Sequence, residues 1–260
     1  MKAYCINLDR RPDRLAYIAA AFGRQGLPFE RIPAVDGSDP AVAARAARCA
    51  AAPDGTRIGT GAFGCFESHR EVWRRLVRSG ERWGMVFEDD VLLADGVAAY
   101  LDDGWVPADA DLVKLETYGK RAHLSRGPGL AAGPRRLFRL RSFNKGTGCY
   151  VVAAATAARL LEATAAFDVP VDDWLFDMGR PSAAALVTYQ MVPAPVVQGD
   201  RVPLAQRPDW SRTSITERSA AAGAPAPFRP KSRIGHYRDR LREEGRALVR
   251  GTRYAPIPHG

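Results

Sequence analysis

Three consecutive carboxylates, Glu88, Asp89 and Asp90, follow directly after the apolar run Met85-Val86-Phe87. Adjacent negative charges repel one another, so such a triplet destabilises a folded chain unless a cation lies close to it. Carboxylate oxygens are the ligands that Mg²⁺ and Mn²⁺ prefer, and such an ion can also bind a diphosphate. An isolated acidic triplet is also typical of a solvated turn, but a surface turn needs no buried segment before it. The sequence therefore indicates a cation site at the end of a buried strand.

A sheet has to position this triplet, and the pattern around it predicts an α/β fold. Strands are expected at residues 3–8, 29–35, 83–87, 111–115, 137–140 and 148–152. The spacing of apolar residues predicts a helix after Asp9, its candidate cap, a helix from Gly61 to Ser79-Gly80 and a helix from Ala154. Alternating strands and helices favour an α/β sheet with a substantial parallel component, in which ligands bind at the carboxyl ends of the strands. The triplet stands at such an end.

The overall charge is basic, with 38 Lys and Arg residues against 29 Asp and Glu residues and a formal net charge of +9. This balance is compatible with nucleic acid, an anionic membrane surface or an anionic substrate as the partner. Binding of nucleic acid without catalysis is one alternative function, but the chain has no recognisable motif for it. An acidic strand end without a cation would repel phosphate, so we expect no nucleic-acid partner.

The cysteines and the N-terminus indicate the cellular compartment in which we expect the protein. The four cysteines lack the spacing of a zinc knuckle or a CxxC motif, and we expect reduced, mostly buried thiols. The N-terminus becomes charged before the apolar core of a signal peptide could form, and no apolar run approaches the roughly 18 residues of a spanning helix. We therefore expect a cytoplasmic location. Peripheral attachment to the inner face of the cell membrane is compatible with the same features.

Four sequence blocks occur in a fixed order in the first part of the chain. They are Ile6 to Arg14, Ala34 to Gly37, Gly61 to His69 and Val86 to Val91. Together they resemble glycosyltransferase family twenty-five, which includes bacterial lipooligosaccharide transferases and the animal collagen galactosyltransferases. The resemblance extends over residues 2–200. It implies a GT-A type fold, in which a Rossmann-like sheet flanked by helices binds a nucleotide-sugar, often UDP-galactose or UDP-glucose.

The resemblance also implies roles for the triplet and the first block. The triplet corresponds to the DxD-type motif of the family, with Asp90 and Glu88 as candidate metal ligands and with Glu88 and Asp89 as donor contacts. The first block would hold the nucleotide, because Arg can bind phosphate in a bidentate manner. For the arginines of this block the alternative is a solvated helix entry. The candidate residues of the block are Asn7, Leu8, Arg10, Arg11 and Arg14.

Further donor contacts are implied at three places. Asp36 resembles a position near the base or ribose, although a plain turn residue fits the pattern nearly as well. His69, in the Ser-His pair of the second predicted helix, would contact the donor, or else form a structural hydrogen bond. Lys145, Gly146 and Thr147 lie in a segment where small residues would let the backbone approach the donor sugar, and an ordinary turn is the alternative.

Asp172 and Asp173, in the segment Pro170-Val171-Asp172-Asp173, are the candidate catalytic residues. Family members are assigned as inverting enzymes, which need a base for the acceptor hydroxyl. A well-placed base contributes about 10²–10⁴-fold to the rate, and adjacent carboxylates can raise the pKa of one of the pair. The alternative is that Asp172 only caps the following helix.

From these features we predict a metal-dependent, inverting glycosyltransferase. It would move a hexose, galactose or glucose, from a UDP-sugar to a hydroxyl of a surface glycan or lipid-linked oligosaccharide, with Mn²⁺ or Mg²⁺ as the cofactor. A catalytically inactive scaffold is a further alternative, against which the intact triplet argues.

The domains are predicted as residues 1–200, the GT-A type domain, and residues 201–260, a basic and partly irregular C-terminal extension. Its basic residues suggest contact with an anionic membrane surface, where each Lys or Arg contributes about 1 kcal/mol, and a solvated tail is the alternative. They are Arg229, Lys231, Arg233, Arg238, Arg240, Arg242, Arg246 and Arg250.

Overall fold

The structure is a computed structural model that describes residues 1–51, 55–203, 205, 207–209, 243–249 and 251–260. The strands in these residues are β1 (Lys2–Asn7), β2 (Glu30–Pro33), β3 (Trp83–Glu88), β4 (Val91–Leu93), β5 (Leu112–Lys114), β6 (Glu116–Thr117), β7 (Arg121–Ser125), β8 (Leu130–Ala132), β9 (Arg135–Arg139), β10 (Cys149–Ala153), β11 (Thr188–Val192), β12 (Val196–Gln198) and β13 (Thr252–Pro256). The helices are α1 (Pro12–Arg24), α2 (Pro40–Ala46), α3 (Thr60–Ser79), α4 (Ala154–Ala163), α5 (Val171–Phe176) and α6 (Pro181–Ala184). Residues 243–249 are also helical, and Val97–Leu101 and Gly199–Arg201 form 3₁₀ turns.

The main sheet has eight strands in the order β2-β1-β3-β10-β5-β11-β9-β8. β1 pairs in parallel with β2 and β3, and β5 pairs in parallel with β11, while β10 runs antiparallel between β3 and β5. All of the strands that the sequence predicts are present in this sheet. The expected fold class, an α/β Rossmann-like sheet of the GT-A type with flanking helices, is therefore confirmed.

Helices cover both faces of the sheet because successive strand residues point to opposite sides. On one face Tyr4 and Val86 join the same apolar cluster as Trp73 of α3. On the other face Phe87 packs against Phe22 of α1, with ring centroids 4.9 Å apart. Full burial of side chains of this size contributes about 1.5–3 kcal/mol each, so the helices on both faces stabilise β1 and β3 between them.

The ends of α1 and α3 follow from single residues in the sequence. α1 begins at Pro12, whose fixed φ suits a first helical turn, and its N-cap is Arg11. The prediction that Asp9 caps this helix is wrong, because Asp9 lies too far upstream and its carboxylate pairs with Arg31. α3 ends, as predicted, at Gly80, which has a φ of 75°.

Short strands enclose the triplet from the side. β12 pairs with β4, which follows the triplet directly, and with β6, so that these strands form a separate sheet. The sequence does not predict them, because strands of two or three residues show no recognisable period. They place the end of β12 beside the acidic triplet.

The C-terminal residues return to the body of the protein. β13 pairs with β7, and Ile257 is buried. The last residues of the chain therefore pack against the folded domain.

Of the residues predicted to bind a membrane, Arg246 is described and pairs with Glu243. The others lie outside the described residues: Arg229, Lys231, Arg233, Arg238, Arg240, Arg242 and Arg250. The boundary at residue 200 stays a prediction. Within the described part of the chain, no helix combines the length and the apolar character that crossing a membrane requires.

Candidate active site

A cleft of about 350 Å³ opens at the carboxyl ends of β1 and β3. Its walls also include α3, the loop before β10, the first turn of α5 and the end of β12. The predicted site residues that line it are Leu8, Arg14, His69, Glu88, Asp89, Asp90, Lys145, Gly146, Thr147 and Asp172. Residues that are far apart in the sequence therefore meet at one place, where α/β sheets bind ligands.

The other predicted residues do not line this cleft. Arg10 and Asp36 form an ion pair with each other at 2.6 Å, and Arg11 pairs with Asp13 at 2.7 Å. Asn7 is buried behind the triplet, and Asp173 is half-buried on α5. The two arginines have carboxylate partners in this arrangement, so their binding to phosphate stays a prediction without a supporting contact.

Arg14 acts as the internal counter-ion of the triplet. Its Nη1 lies 3.0 Å from Asp89 Oδ1 and 3.4 Å from Asp90 Oδ2. The second oxygen of Asp89 accepts a hydrogen bond of 2.7 Å from Asn7 Nδ2. Both oxygens of Asp89 therefore have partners within the protein, and binding of Arg14 to a phosphate stays a prediction.

Asp90 has the environment that best fits a cation. Burial, together with the neighbouring charge of Glu88, raises the pKa of Asp90 well above its usual range. Its Oδ1 is buried and has no hydrogen-bond partner among the described residues. An unsatisfied buried acceptor costs about 1–3 kcal/mol. A divalent ion would supply the missing partner, so this oxygen is the best-suited metal ligand of the triplet.

Glu88 is held in place by hydrogen bonds. Oε1 accepts the Thr147 hydroxyl at 2.6 Å and lies 3.3 Å from His69 Nε2, and Oε2 accepts the Gln198 amide at 3.4 Å. Burial alone would raise the pKa of Glu88, but these bonds from His69 and Thr147, with the charge of Lys114, lower it instead. Glu88 therefore presents an ionised, fixed carboxylate to the cleft.

His69 is a fully buried link between Glu88 and the core. The Tyr150 hydroxyl accepts the Trp73 indole N–H at 3.0 Å and lies 2.9 Å from His69 Nδ1. Because an indole can only donate, the hydroxyl proton is free to be donated to Nδ1. Nε2 then carries the hydrogen that His69 donates to Glu88, so His69 orients this carboxylate.

Cys65 lies close to this pair, since its Sγ and the ligand atoms of His69 and Glu88 are all within 4.8 Å of one another. Such a group could hold a softer metal ion. A thiolate and an imidazole suit softer ions than Mg²⁺ or Mn²⁺, however. The hard carboxylate of Asp90 is the better site for Mg²⁺ or Mn²⁺.

A buried ion pair that the sequence reasoning missed supports the loop before β10. Lys114 Nζ lies 3.1 Å from Glu116 Oε2, which also accepts the Gly148 N–H at 2.8 Å. Lys114 also donates to the carbonyl of Gly146. Burial raises the pKa of Glu116 to about 7. A lysine inside the predicted strand 111–115 was the signal that could have revealed this pair.

Asp172, unlike Asp173, faces the cleft from the first turn of α5. Its Oδ2 accepts the Gly146 N–H at 3.2 Å, so it is tied to the loop that carries Lys145 and Thr147. The alternative role as a helix cap is not observed, because the N-cap is Pro170 and no side chain caps the helix. This carboxylate can accept a proton from a group bound in the cleft.

Tyr118, Gln198 and Arg201 also line the cleft, although they lie outside every sequence block that predicts the site. They come from the turn after β6 and from the end of β12. The guanidinium carbon of Arg201 lies 3.9 Å from the centroid of the Tyr118 ring. No motif in the sequence singles these residues out, because only the pairing of β12 with β4 and β6 brings them to the triplet.

The chain is similar to known glycosyltransferases. It is 31% identical over 187 residues to the lacto-N-neotetraose biosynthesis glycosyltransferase LgtB of Neisseria meningitidis serogroup B, a match that covers 68% of each chain. It is 28% identical over 209 residues to LgtE of Neisseria gonorrhoeae, which covers 75% of this chain and 72% of LgtE. It is also 40% identical over 95 residues to a glycosyltransferase 25 family member of Anopheles gambiae, which covers 34% of this chain and 16% of that protein.

Two solved structures are more distant. A glycosyltransferase involved in the glycosylation of the major capsid of PBCV-1 has a TM-score of 0.41 and 8% identity, over 80% of this chain and 97% of its own. The galactosyltransferase LgtC, in complex with donor and acceptor sugar analogs, has a TM-score of 0.36 and 13% identity, over 87% of this chain and 98% of its own.

Residues 1–175 match the family described as Glycosyltransferase family 25 (LPS biosynthesis protein). This match confirms the resemblance noted in the sequence. The matched region includes the triplet, Arg14 and Asp172, so residues of the family match also line the cleft. The chain therefore belongs to glycosyltransferase family 25 and is a glycosyltransferase.

Proposed function

We propose that the protein transfers galactose or glucose from a UDP-sugar to a hydroxyl group of a surface glycan or lipid-linked oligosaccharide. Transfer inverts the anomeric carbon and uses Mn²⁺ or Mg²⁺. The observation that carries the proposal is the buried Oδ1 of Asp90, which lacks a partner among the described residues at the edge of the 350 Å³ cleft. LgtB and LgtE, named for lacto-N-neotetraose biosynthesis, support an oligosaccharide acceptor.

In this proposal Asp90 would hold the cation, and Glu88 would face the ribose or the sugar. When bound, the ion neutralises charge on the diphosphate as it leaves. Arg14 and Asn7 keep Asp89 in place, so the triplet does not have to rearrange when the donor binds. His69 and Thr147 fix the Glu88 carboxylate for the same reason.

The acceptor hydroxyl oxygen attacks the anomeric carbon on the side opposite the leaving group. The bond from this carbon to the β-phosphate oxygen breaks, and its electron pair remains on the diphosphate, which is released as UDP. Asp172 takes the hydroxyl proton, which balances the charge. We assign this step to Asp172 rather than Asp173 because Asp172 lines the cleft.

The experiment measures donor binding by calorimetry, with UDP-galactose and UDP-glucose, in Mn²⁺ or in EDTA. The wild type should bind one of these donors with Mn²⁺ only, and Asp90→Asn should bind it at least about tenfold more weakly, since it loses a charge at the ion. Asp95→Asn is the matched control, because Asp95 is an exposed acid close by in the chain. Asp90→Asn should remain folded by circular dichroism.

Transfer is then tested with glycan acceptors, and the anomeric configuration of the product is read by NMR. An inverted product supports the proposal, and a retained product contradicts the mechanism. Absence of binding to either donor, or wild-type binding by Asp90→Asn, contradicts the donor site. Donor binding without transfer to any acceptor would instead support the inactive scaffold. Contact of the basic tail with an anionic membrane stays a separate prediction.

A further inference from the structure

The turn after β12 is bonded to the triplet at two points, although it lies beyond the family match that ends at residue 175. The Gln198 amide donates to Glu88 Oε2 at 3.4 Å, and the Gly199 N–H donates to the Asp90 carbonyl at 2.8 Å. A 3₁₀ turn, Gly199–Arg201, follows. Two residues of chain span at most about 7 Å, so the backbone of Arg201 lies close to the candidate cation site.

The Arg201 side chain lies in the cleft and has hydrogen-bond donors without a partner among the described residues. Its guanidinium carbon lies 3.9 Å from the Tyr118 ring centroid, a ring that Lys120 approaches only to 5.6 Å. Its Nε is 3.0 Å from Asp200 Oδ1, and its Nη nitrogens make no hydrogen bond within the described part of the chain. The side chain is 34% exposed. The Nη edge of a guanidinium suits two oxygens of one phosphate group.

The other cations of the cleft divide into two kinds. Arg14 contacts Asp89 and Asp90 and is buried with them. Lys145 is exposed, lines the cleft and has no ion-pair partner among the described residues. The cationic hydrogen-bond donors that remain for a ligand are therefore Lys145 and the Nη edge of Arg201, whose Nε pairs with Asp200.

We propose that Arg201, seated on the Tyr118 ring, binds the diphosphate of the nucleotide-sugar, with Lys145 as a second positive charge. This inference rests on the proposed function and assigns a part of the donor site to a residue outside the family match. Arg201 would hold the diphosphate from the turn that also contacts Glu88 and Asp90. It would also stabilise the negative charge that develops on the phosphate as the sugar leaves.

The test compares two probes, UDP and uridine, in the presence of Mn²⁺, by calorimetry for UDP and by ligand-observed NMR for uridine. Arg201→Gln should weaken UDP binding about ten- to hundredfold, because it removes charge-assisted hydrogen bonds, and should leave uridine binding unchanged. Arg201→Lys should recover part of the loss. Tyr118→Leu should give an intermediate loss, since the guanidinium keeps its charge but loses its support.

Arg207→Gln is the matched control in the same segment, since Arg207 is exposed and does not line the cleft. It should leave the affinity for both probes at the wild-type value. Wild-type affinity of Arg201→Gln for UDP would overturn the inference, as would an equal loss for UDP and uridine. Failure of the wild type to bind UDP at all would overturn both this inference and the proposed function.

Discussion

Glu88, Asp89 and Asp90 are adjacent, yet each has different partners. Asp89 forms an ion pair with Arg14 and accepts a hydrogen bond from Asn7, and Glu88 accepts hydrogen bonds from Thr147 and Gln198. Asp90 keeps one buried oxygen without a partner among the described residues. The residue types alone indicate a cation site. Which partners each of the three carboxylates has depends on residues that are far away in the sequence.

At the residue scale, the two neighbouring aspartates of α5 offer a matched pair. Asp172→Asn should lower kcat about 10²–10⁴-fold, because the amide cannot take the acceptor proton, while donor affinity stays within a few-fold of the wild type. Asp173→Asn should change kcat less than about tenfold, because Asp173 does not line the cleft. Steady-state kinetics with the best donor and acceptor measure both. A larger loss for Asp173→Asn would exchange the two assignments.

Glu116 predicts a pH dependence of stability. Its pKa is raised from 4.5 to about 7, so the folded state holds the proton more tightly than the unfolded chain. This stabilisation is fully present below pH 4.5 and is lost as the pH rises through 7, by up to about 3 kcal/mol. Urea unfolding should show that the stability of the wild type, relative to Glu116→Gln, falls between pH 5 and pH 8.

The control for this pH effect is Glu81→Gln, at an exposed position. Its difference from the wild type should stay constant between pH 5 and pH 8. A constant difference for Glu116→Gln as well would mean that Glu116 does not bind the extra proton.

The arginines of the first block show what a sequence can reveal about single residues. Arg14 lies on the same helical face as Ile18 and Phe22, so the apolar period of α1 could have distinguished it as the inward-facing residue. Its partners could not be foreseen, since Asp89 is 75 positions away. Arg10 and Arg11 lie before the helix, where no period applies.

At the element scale, strands within apolar runs were predictable, whereas the five-residue β11 and the short β4, β6 and β12 were not. β1, β3 and β10 follow from buried runs, whereas β6 and β12 have two and three residues. Yet β12 carries Gln198 to Glu88, and β6 contains Glu116, which supports the loop before β10. The scaffold of the site could be read from the sequence, but one of its walls could not.

The loop before β10 can be tested through its glycines. A Cβ on Gly146, which has a φ of +96°, would lie 2.6 Å from Glu116 Oε1, whereas a Cβ on Gly119, at a φ of +69°, would meet nothing within 4 Å. Gly119→Ala should cost about 1–2 kcal/mol, from backbone strain alone. Gly146→Ala should cost roughly 2–5 kcal/mol, because the clash adds to that strain.

Urea unfolding and transfer assays measure this pair of variants. Activity should fall with Gly146→Ala only, since the loop holds both Thr147 and Asp172. Equal stability losses in the two variants would contradict the close packing of Gly146 against Glu116.

At the scale of the whole molecule, the last ten residues belong to the folded body. Ile257 is buried, its carbonyl accepts the Thr117 hydroxyl at 2.5 Å, and Ala194 N–H donates to the Pro258 carbonyl at 2.8 Å. Removal of residues 251–260 should therefore lower the free energy of unfolding by about 3 kcal/mol or more. Ile257→Ala in the full chain should give about 2–4 kcal/mol of this loss. An unchanged urea midpoint after truncation would contradict the packing of β13 on β7.

The antiparallel strand between β3 and β5 has a consequence for synthesis on the ribosome. The triplet at the end of β3 leaves the ribosome well before β10 and Gln198, its neighbours in the finished protein. At about 5–20 residues per second, roughly 5–20 s pass before the turn after β12 exists. Among the described partners of the triplet, Asn7, Arg14 and His69 have by then already been made. Arg14 carries a permanent positive charge, so we expect it to offset the repulsion among the three carboxylates during this interval.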